Sequence, residues 1–291
     1  MKKVLLVILL WISSFNLYPQ YSVDQPMNLI EVNGVSIAYT TAGEEDNTPV
    51  LMIMGLMGSH KVWGEEIVNG LLEAGYRVIL FDNRDTGESE NLDRLGKPNL
   101  YWKFAMNYLG VDFSSPYSLS DMALDGLGVL DHLGIEKAHI VGASMGGMIA
   151  QTLAYEYPER VNSLVSIMST TGAPHLSQMS QRNEQNFRNA GDMDRERVHA
   201  FGFYPEAMPR QMTAIMKAGD RSQQVSSINV STLVQHGAND TLLPPDHGEH
   251  TAKLIKGSEF KVYDNMGHNL PSSVLPVLLE DMVSFFKKVE R

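Results

Sequence analysis

A serine flanked by glycines marks the point where the chain turns from a strand pattern into a helix pattern. Residues 138–141 form a short apolar run of strand character, and apolar residues recur at helical spacing after Met145. Ser144 lies between the two patterns, with Gly142 and Gly146 two positions away on each side. Side chains at the glycine positions would collide in so sharp a turn. The turn therefore pushes the serine out above the end of the predicted sheet.

The same turn places this serine where it can react. The backbone N–H of Met145 begins the new helix and points to where negative charge on a substrate oxygen would develop. A serine in a strand–turn–helix context is the pattern of a nucleophile elbow. The alternative is an ordinary serine in a glycine-rich turn, and these residues alone leave both interpretations open.

Short apolar strands and amphipathic helices alternate along most of the 291-residue chain, which predicts an α/β fold. The sheet is expected to be mostly parallel, with helices on both faces. The predicted strands span residues 35–40, 50–54, 76–82, 139–141, 161–168, 230–235 and 260–263. The predicted helices include residues 62–74, 119–133, 145–157 and 274–288, with Ser118 or Ser120 as the N-cap of the second.

The alternation stops between residues 172 and 229, where the chain is richer in Gln, Asn, Arg and Met and has a helical pattern without strands. A helical insertion between strands, at the sheet end where ligands bind, predicts a cap or lid. The predicted core therefore consists of residues 27–171 and 230–291.

Composition excludes several kinds of partner and chemistry. The formal net charge of −11 disfavours nucleic acid and anionic membranes as partners. The chain has no cysteine, which excludes disulfides, a thiol nucleophile and cysteine-based metal sites. A small molecule is the expected partner, and the sequence does not determine the oligomeric state.

The first residues have the pattern of an export signal. Lys2 and Lys3 precede the apolar residues 4–12, and a polar segment follows. The apolar run is too short for an ordinary membrane span. We predict that residues 1–22 form a signal peptide, so that the protein is exported to the periplasm or the exterior. An uncleaved membrane anchor through residues 4–12, or a wrongly assigned start, are the alternatives.

A serine hydroxyl needs a base, and histidine is the expected one. His268 follows the last predicted strand and precedes the last helix, where a loop can return over the end of the sheet. The other histidines near predicted strands are His60, His139 and His236. Position favours His268 as the base.

The histidine in turn needs an acid to orient it. Asp240 follows the strand of residues 230–235, at the same end of the sheet as Ser144. The order serine, aspartate, histidine is known for triads on such sheets. The loop after the strand of residues 161–168 has no carboxylate, and Asp264 lies so close to His268 in sequence that it would crowd the loop. We therefore predict a triad of Ser144, Asp240 and His268.

An oxyanion hole needs a second N–H beside that of Met145. Residues 55–58 follow the strand of residues 50–54, and Gly55 and Gly58 let the backbone turn inward. We assign the Leu56 N–H as the second donor. Such a donor is worth about 3–4 kcal/mol of reaction barrier.

Two weaker patterns concern ligands. His247 and His250 lie near acidic residues, but such a run is more typical of a solvated helix start than of a metal site. No metal and no cofactor are predicted. Methionines near the expected cleft favour an apolar or aromatic substrate group over a sugar. They are Met54, Met57, Met145, Met168, Met179, Met208, Met212, Met216 and Met266.

Taken together, these motifs resemble the α/β-hydrolase superfamily, in its serine esterase and lactonase branch, over residues 29–290. The resemblance is closest to bacterial hydrolases that include the aclacinomycin methylesterases, the enol-lactonases and the cofactor-free haloperoxidases. Met54 stands where many relatives have histidine, and Asp85 where glycine is common. The residues that produce the resemblance are Gly55-Leu56, residues 81–89, residues 141–147, residues 236–240 and Gly267-His268.

The resemblance implies hydrolysis of a carboxylic ester or lactone in two steps, through an acyl-serine and without a cofactor. A small to medium apolar substrate is expected. A perhydrolase or haloperoxidase, or a C–C bond hydrolase, would use the same triad. A ligand sensor on a hydrolase scaffold is a non-catalytic alternative, and the serine argues against branches that place a carboxylate at the elbow.

Overall fold

The computed structural model describes residues 20–188 and 194–291. In this part of the chain eight strands form one sheet in the order β1-β2-β4-β3-β5-β6-β7-β8, and β3 to β8 are parallel to one another. β2 pairs antiparallel with both β1 and β4. The strands are β1 (Asn28–Val32), β2 (Val35–Ala42), β3 (Pro49–Ile53), β4 (Arg77–Phe81), β5 (Ala138–Ala143), β6 (Val161–Ile167), β7 (Thr232–Gly237) and β8 (Glu259–Tyr263).

The four helices whose bounds are predicted from sequence are present, and their ends differ from the prediction by at most two residues. Ser118 caps α3 in a capping box with Asp121, which decides between the two predicted N-caps. The helices are α1 (Gly64–Glu73), α2 (Leu100–Tyr108), α3 (Leu119–His132), α4 (Met145–Glu156), α5 (Gln181–Arg188), α6 (Arg195–Ala200), α7 (Met208–Ala218), α8 (Ser222–Ser226), α9 (Asp246–Leu254) and α10 (Leu275–Val289).

Two apolar cores cover the two faces of the sheet. On one face Leu51 and Ile140 pack with Leu127 of α3 and Ile149 of α4. On the other face the sheet packs against α1 and α10, and that core includes Ile67, Leu71, Leu278 and Phe286. Strands buried on both faces explain the nearly continuous apolar runs in the sequence. The predicted α/β architecture, a mostly parallel sheet with helices on both faces, is confirmed.

The N-terminal segment of the described chain packs against α1. Tyr21 is buried, its N–H donates to Asn69 Oδ1 (2.8 Å), and Asn69 Nδ2 donates to its carbonyl (3.2 Å). Residues 1–19 of the predicted signal peptide lie outside the described residues. The boundary predicted after residue 22 separates Tyr21 from the core that it packs into. Within the described ranges, no helix is long and apolar enough to cross a membrane.

The insertion, residues 172–229, contains α5 to α8 and no named strand in its described part. Its backbone is bonded to the loop that follows β3. The Ser59 N–H donates to the carbonyl of Gly202, and the Tyr204 N–H donates to the carbonyl of Met57, each at 2.8 Å. Phe203 forms an isolated antiparallel bridge with Gly58. The insertion therefore touches the loop for which an oxyanion role was predicted.

Candidate active site

Ser144 lies at the β5–α4 junction in a strained backbone conformation. Its φ is 57° and its ψ is −120°, a combination that non-glycine residues rarely adopt. Its N–H donates to the carbonyl of Ile167 (2.9 Å) on the neighbouring strand β6, which helps to hold the turn. A Cβ on Gly142 would lie 2.1 Å from the carbonyl oxygen of Gly146, and one on Gly146 would lie 2.0 Å from that of Ile53. The glycines are therefore required by close backbone approach, as the sequence predicts.

The three residues predicted as a triad form one hydrogen-bonded chain. His268 Nε2 lies 2.9 Å from Ser144 Oγ, and His268 Nδ1 lies 2.7 Å from Asp240 Oδ2. Both distances are within hydrogen-bond range. Asp240 is buried and His268 is half-buried, with 17% of its side chain exposed. The imidazole is thus held by a carboxylate on one side and faces the serine hydroxyl on the other.

Asp240 is kept ionised by its hydrogen bonds. Burial alone raises the pKa of this carboxyl, but hydrogen bonds from His236 and His268 and from the N–H of Leu243 outweigh burial and hold the pKa below its ordinary value. Oδ1 accepts the N–H groups of Leu242 and Leu243, each at 2.9 Å. An ionised carboxylate with one oxygen committed to the backbone presents the other to His268.

The loop that contains His268 reaches Asp240 because β7 ends in a glycine. A Cβ on Gly237 would lie 2.3 Å from the carbonyl oxygen of Met266, so a side chain there would push this loop away. The loops are further joined by the N–H of Asn239, which donates to the Met266 carbonyl (3.0 Å). Two strand-end loops that are distant in sequence are brought together in this way.

The other candidate residues lie elsewhere. Asp264 is exposed, and the structure brings Asp240 rather than Asp264 to His268. His60 Nδ1 pairs with Asp82 (2.8 Å), and His139 lies between Ser163 and Glu290. His236 Nε2 contacts the Leu243 carbonyl (2.8 Å) and lies 3.4 Å from Asp240 Oδ2, the same oxygen that His268 contacts.

The loop after β3 lies against Ser144. A Cβ on Gly55 would be 2.9 Å from the Cβ of Ser144, so only glycine lets the loop come this close. Met57 has a φ of 63°, and the Gly58 N–H closes the turn on the Gly55 carbonyl (3.1 Å). Within the described chain, the N–H groups of Leu56 and Met145 have no hydrogen-bond acceptor. Both N–H groups are therefore free to bind an oxygen of a ligand.

The described residues contain no cluster of three or more His, Cys, Asp or Glu side chains that could hold a metal ion. His247 instead contacts Thr170 Oγ1 (2.6 Å) and the Ser177 carbonyl (2.9 Å), and His250 lies 3.2 Å from Ser222 Oγ. At Ser144 the structure brings together a serine hydroxyl, an imidazole and a carboxylate.

Two further groups at the site were not predicted from sequence. Gln211 of α7 is fully buried and accepts the N–H of Met57 at its Oε1 (2.8 Å). Asp85, noted in the sequence only as an unusual residue, pairs with Arg210 of the same helix (2.8 Å). Gln211 and Arg210 both belong to the insertion and lie more than 120 residues in sequence from the loops that they contact. No local sequence pattern predicts such a pairing.

Comparison with known proteins agrees with the fold. The sequence profile of the alpha/beta hydrolase fold family matches residues 48–212, more than half of the chain. The chain belongs to the alpha/beta hydrolase fold family. The proteins that it resembles in sequence include several hydrolases.

Its relatives include an esterase and a hydrolase of another kind. The chain is 27% identical over 299 residues to rhodomycin D methylesterase DnrP from Streptomyces peucetius, covering 86% of this chain and 94% of that protein. It is 29% identical over 231 residues to a 2-hydroxy-6-oxononadienedioate/2-hydroxy-6-oxononatrienedioate hydrolase from Paraburkholderia phymatum, covering 69% and 73%. The enol-lactonase from Burkholderia xenovorans LB400 has the same fold, with a TM-score of 0.68, 19% identity and coverage of 89% and 100%.

Proposed function

We propose that this protein is a serine hydrolase that cleaves carboxylic esters or lactones of small to medium apolar substrates. The observation that carries the proposal is the continuous hydrogen-bonded chain from Ser144 Oγ through His268 to Asp240, at 2.9 and 2.7 Å. Beside these three residues lie the backbone N–H groups of Leu56 and Met145, which have no acceptor among the described residues. Nucleophile, base, orienting acid and oxyanion donors are the parts that acyl transfer requires.

In the first half-reaction, Ser144 Oγ attacks the ester carbonyl carbon while His268 Nε2 takes the hydroxyl proton. The electron pair of the carbonyl bond moves to its oxygen, which receives the N–H groups of Leu56 and Met145. Asp240 holds the Nδ1–H tautomer before the transfer and stabilises the imidazolium after it. The bond to the leaving alkoxide then breaks, and His268 gives the alkoxide its proton.

In the second half-reaction, water attacks the acyl-serine and gives one proton to His268. The tetrahedral oxyanion forms again between the same two donors. Collapse of this intermediate releases the carboxylic acid, and the proton on His268 returns to Ser144 Oγ. The cycle uses each of the five residues predicted from sequence and converts one ester and one water into an acid and an alcohol.

The choice of ester bonds is supported by the relatives. A methylesterase is among the proteins most similar to the chain, and the match extends over most of both sequences. The apolar character of the substrate is proposed from the methionines near Ser144. Met54, Met145, Met168 and Met266 are all less than a tenth exposed and belong to the apolar cores on the two faces of the sheet.

A C–C bond hydrolase is the second candidate. The observation that favours it is the similarity to the hydrolase from Paraburkholderia phymatum, whose name gives 2-hydroxy-6-oxononadienedioate and 2-hydroxy-6-oxononatrienedioate as substrates. Hydrolysis of a vinylogous diketone, measured beside ester hydrolysis, distinguishes the two activities. Peroxide-dependent oxidation in acetate tests the perhydrolase alternative in the same way, and the absence of any turnover would favour a ligand sensor.

The experiment that tests the proposal is steady-state hydrolysis of p-nitrophenyl esters from acetate to dodecanoate by the parent chain and its Ser144→Ala variant. The proposal predicts turnover by the parent and a loss of kcat of about 10⁴-fold or more in the variant. The preferred acyl length then reports the size of the pocket. If the parent turns over no ester, and a fluorophosphonate does not label Ser144, the proposal is wrong.

A further inference from the structure

The oxyanion loop, defined as residues 55–59, is held from outside the sheet. Gly55, at its start, lies against Ser144 of the core. Two backbone hydrogen bonds join the loop to the insertion, from the Ser59 N–H to the Gly202 carbonyl and from the Tyr204 N–H to the Met57 carbonyl, and they form the bridge between Gly58 and Phe203. A side chain of the insertion also contacts the loop: Gln211 of α7 accepts the N–H of Met57 at its Oε1 (2.8 Å).

Gln211 bridges two loops that flank the site. Its Oε1 accepts the Met57 N–H, and its Nε2 donates to the carbonyl of Arg84 at 3.2 Å. The Arg84 loop is itself fixed, because Arg84 donates to both carboxylate oxygens of Asp125 at 2.7 and 2.6 Å. A second hydrogen bond joins the two loops: Asn83 Nδ2 donates to the carbonyl of Met54 (2.8 Å), the residue just before the oxyanion loop.

The amide of Gln211 is suited to this task because it both donates and accepts. Its side chain is fully buried, so neither of its bonds can be replaced by bulk water without cost. The Met57 N–H that it accepts is next along the backbone from the Leu56 N–H. Met57 also has a positive φ of 63°, a conformation that needs support from its surroundings. Only the φ and ψ of Leu56 separate the Met57 amide from the Leu56 N–H, so holding the Met57 amide restricts the directions in which the Leu56 N–H can point.

We propose that Gln211 is a positioning residue for the oxyanion hole: it holds the Met57 amide so that the Leu56 N–H faces the oxygen bound at Ser144. The inference rests on the proposed function, since it concerns the same site. Part of the polar support of the loop comes from the insertion.

The test compares Gln211→Met with Thr213→Val in the full chain. Methionine keeps the length of the side chain and removes both hydrogen bonds. Thr213 is a matched control, because it is buried on the same helix and its hydroxyl bonds only within that helix, to the Pro209 carbonyl (2.6 Å). Loss of one oxyanion donor lowers kcat about 10²–10³-fold, so a donor that is misdirected rather than removed predicts a loss of about 10–100-fold.

Three measurements follow for each variant: kcat and KM for a p-nitrophenyl ester, inhibition by a trifluoromethyl ketone, and amide hydrogen exchange. Gln211→Met is expected to lower kcat with KM changed less than about threefold, since the donor acts on the transition state. The inhibition constant of the ketone, which forms a tetrahedral oxyanion, rises by about the same factor. Exchange in residues 55–59 becomes faster, and Thr213→Val shows none of these changes.

The inference is overturned if Gln211→Met retains kcat within about threefold of an active parent, or if Thr213→Val loses as much kcat. Unchanged exchange in residues 55–59 overturns it whatever the turnover. Failure of the proposed function looks different, because the parent itself then turns over no ester and is not labelled at Ser144. An inactive parent overturns the oxyanion role of Gln211 as well.

Discussion

Arg210 and Asp85 form a two-point ion pair inside the protein although 125 residues separate them in sequence. Arg210 Nε and Nη2 donate to Oδ2 and Oδ1 of Asp85, each at 2.8 Å, and both side chains are almost fully buried. Asp85 also accepts the hydroxyl of Tyr117 and the N–H of Leu92, each at 2.7 Å. The pair fastens α7, and hence Gln211, to the loop after β4.

Asp85→Ala is expected to lower the free energy of unfolding by about 3–5 kcal/mol, because it leaves the Arg210 guanidinium buried without its main partner. Urea denaturation measures this loss. Lys253→Ala breaks an exposed pair with Glu249 and serves as the control, with an expected change below about 0.5 kcal/mol. The Asp85→Ala, Arg210→Met double variant should be more stable than Asp85→Ala alone, and a double variant that is less stable would contradict this account.

Asp240→Asn is expected to lower kcat by about 10⁴-fold while the protein still folds. The asparagine oxygen would stay with the N–H groups of Leu242 and Leu243, so its NH₂ group would face His268 Nδ1. That nitrogen would then have to accept, which moves the ring proton to Nε2 and prevents it from taking the Ser144 proton. Ester hydrolysis and circular dichroism measure the two outcomes, and a variant with more than a tenth of the parent kcat argues against the tautomer role.

The lowered pKa of Asp240 also predicts an acid dependence of stability. Burial raises the pKa of this carboxyl, but the hydrogen bonds from His236 and His268 lower it further than burial raises it. The folded protein therefore binds this proton more weakly than the unfolded chain, whose aspartate pKa is about 3.9. The stabilisation is present above that value and is lost as the pH falls through the lower folded-state pKa.

The corresponding measurement is the free energy of unfolding of the parent and of Asp240→Asn between pH 6 and pH 2. The stability advantage of the parent should shrink as the pH falls below about 4, since the variant has no proton to bind at this position. An advantage that stays constant over the whole range would show that the carboxylate is not stabilised in the folded state.

Tyr21→Ala is expected to lower the free energy of unfolding by about 3–5 kcal/mol, as for other large buried rings. Tyr21→Phe is the matched control. The Tyr21 hydroxyl is buried and has no hydrogen-bond partner among the described residues, so its removal should cost less than about 1 kcal/mol. Thermal unfolding measures both. If Tyr21→Ala is as stable as the parent, the folded unit begins after this residue, as the predicted boundary at residue 22 requires.

The sequence predicts the sheet well because its buried strands are continuous apolar runs that alternate with helices. It does not predict β1, whose residues Asn28–Val32 are largely exposed at the sheet edge and include Asn and Glu. Ser144, Asp240 and His268 are predictable because strand-end loops on one edge of a parallel sheet meet in space. The structure agrees with this expectation in geometry, whereas their catalytic roles remain the proposal.

The contacts between the insertion and the core could not be predicted in the same way. Gln211 and Arg210 lie on α7, whose helical pattern fixes which faces are buried but not which loop each face meets. Gln211 bonds to Met57 across 154 residues of sequence. A pairing of that kind depends on how the insertion packs as a whole, and glutamine and arginine are common on solvated helices as well.

The central claim is that Ser144 becomes acylated during turnover. The most direct measurement is to mix the full chain with a p-nitrophenyl ester of its preferred acyl length, quench with acid during steady state, and map the acyl group by mass spectrometry. The account predicts one acyl group on the peptide that contains Ser144, and none in Ser144→Ala. Turnover without an acyl group on Ser144, or with the same rate in Ser144→Ala, would contradict it.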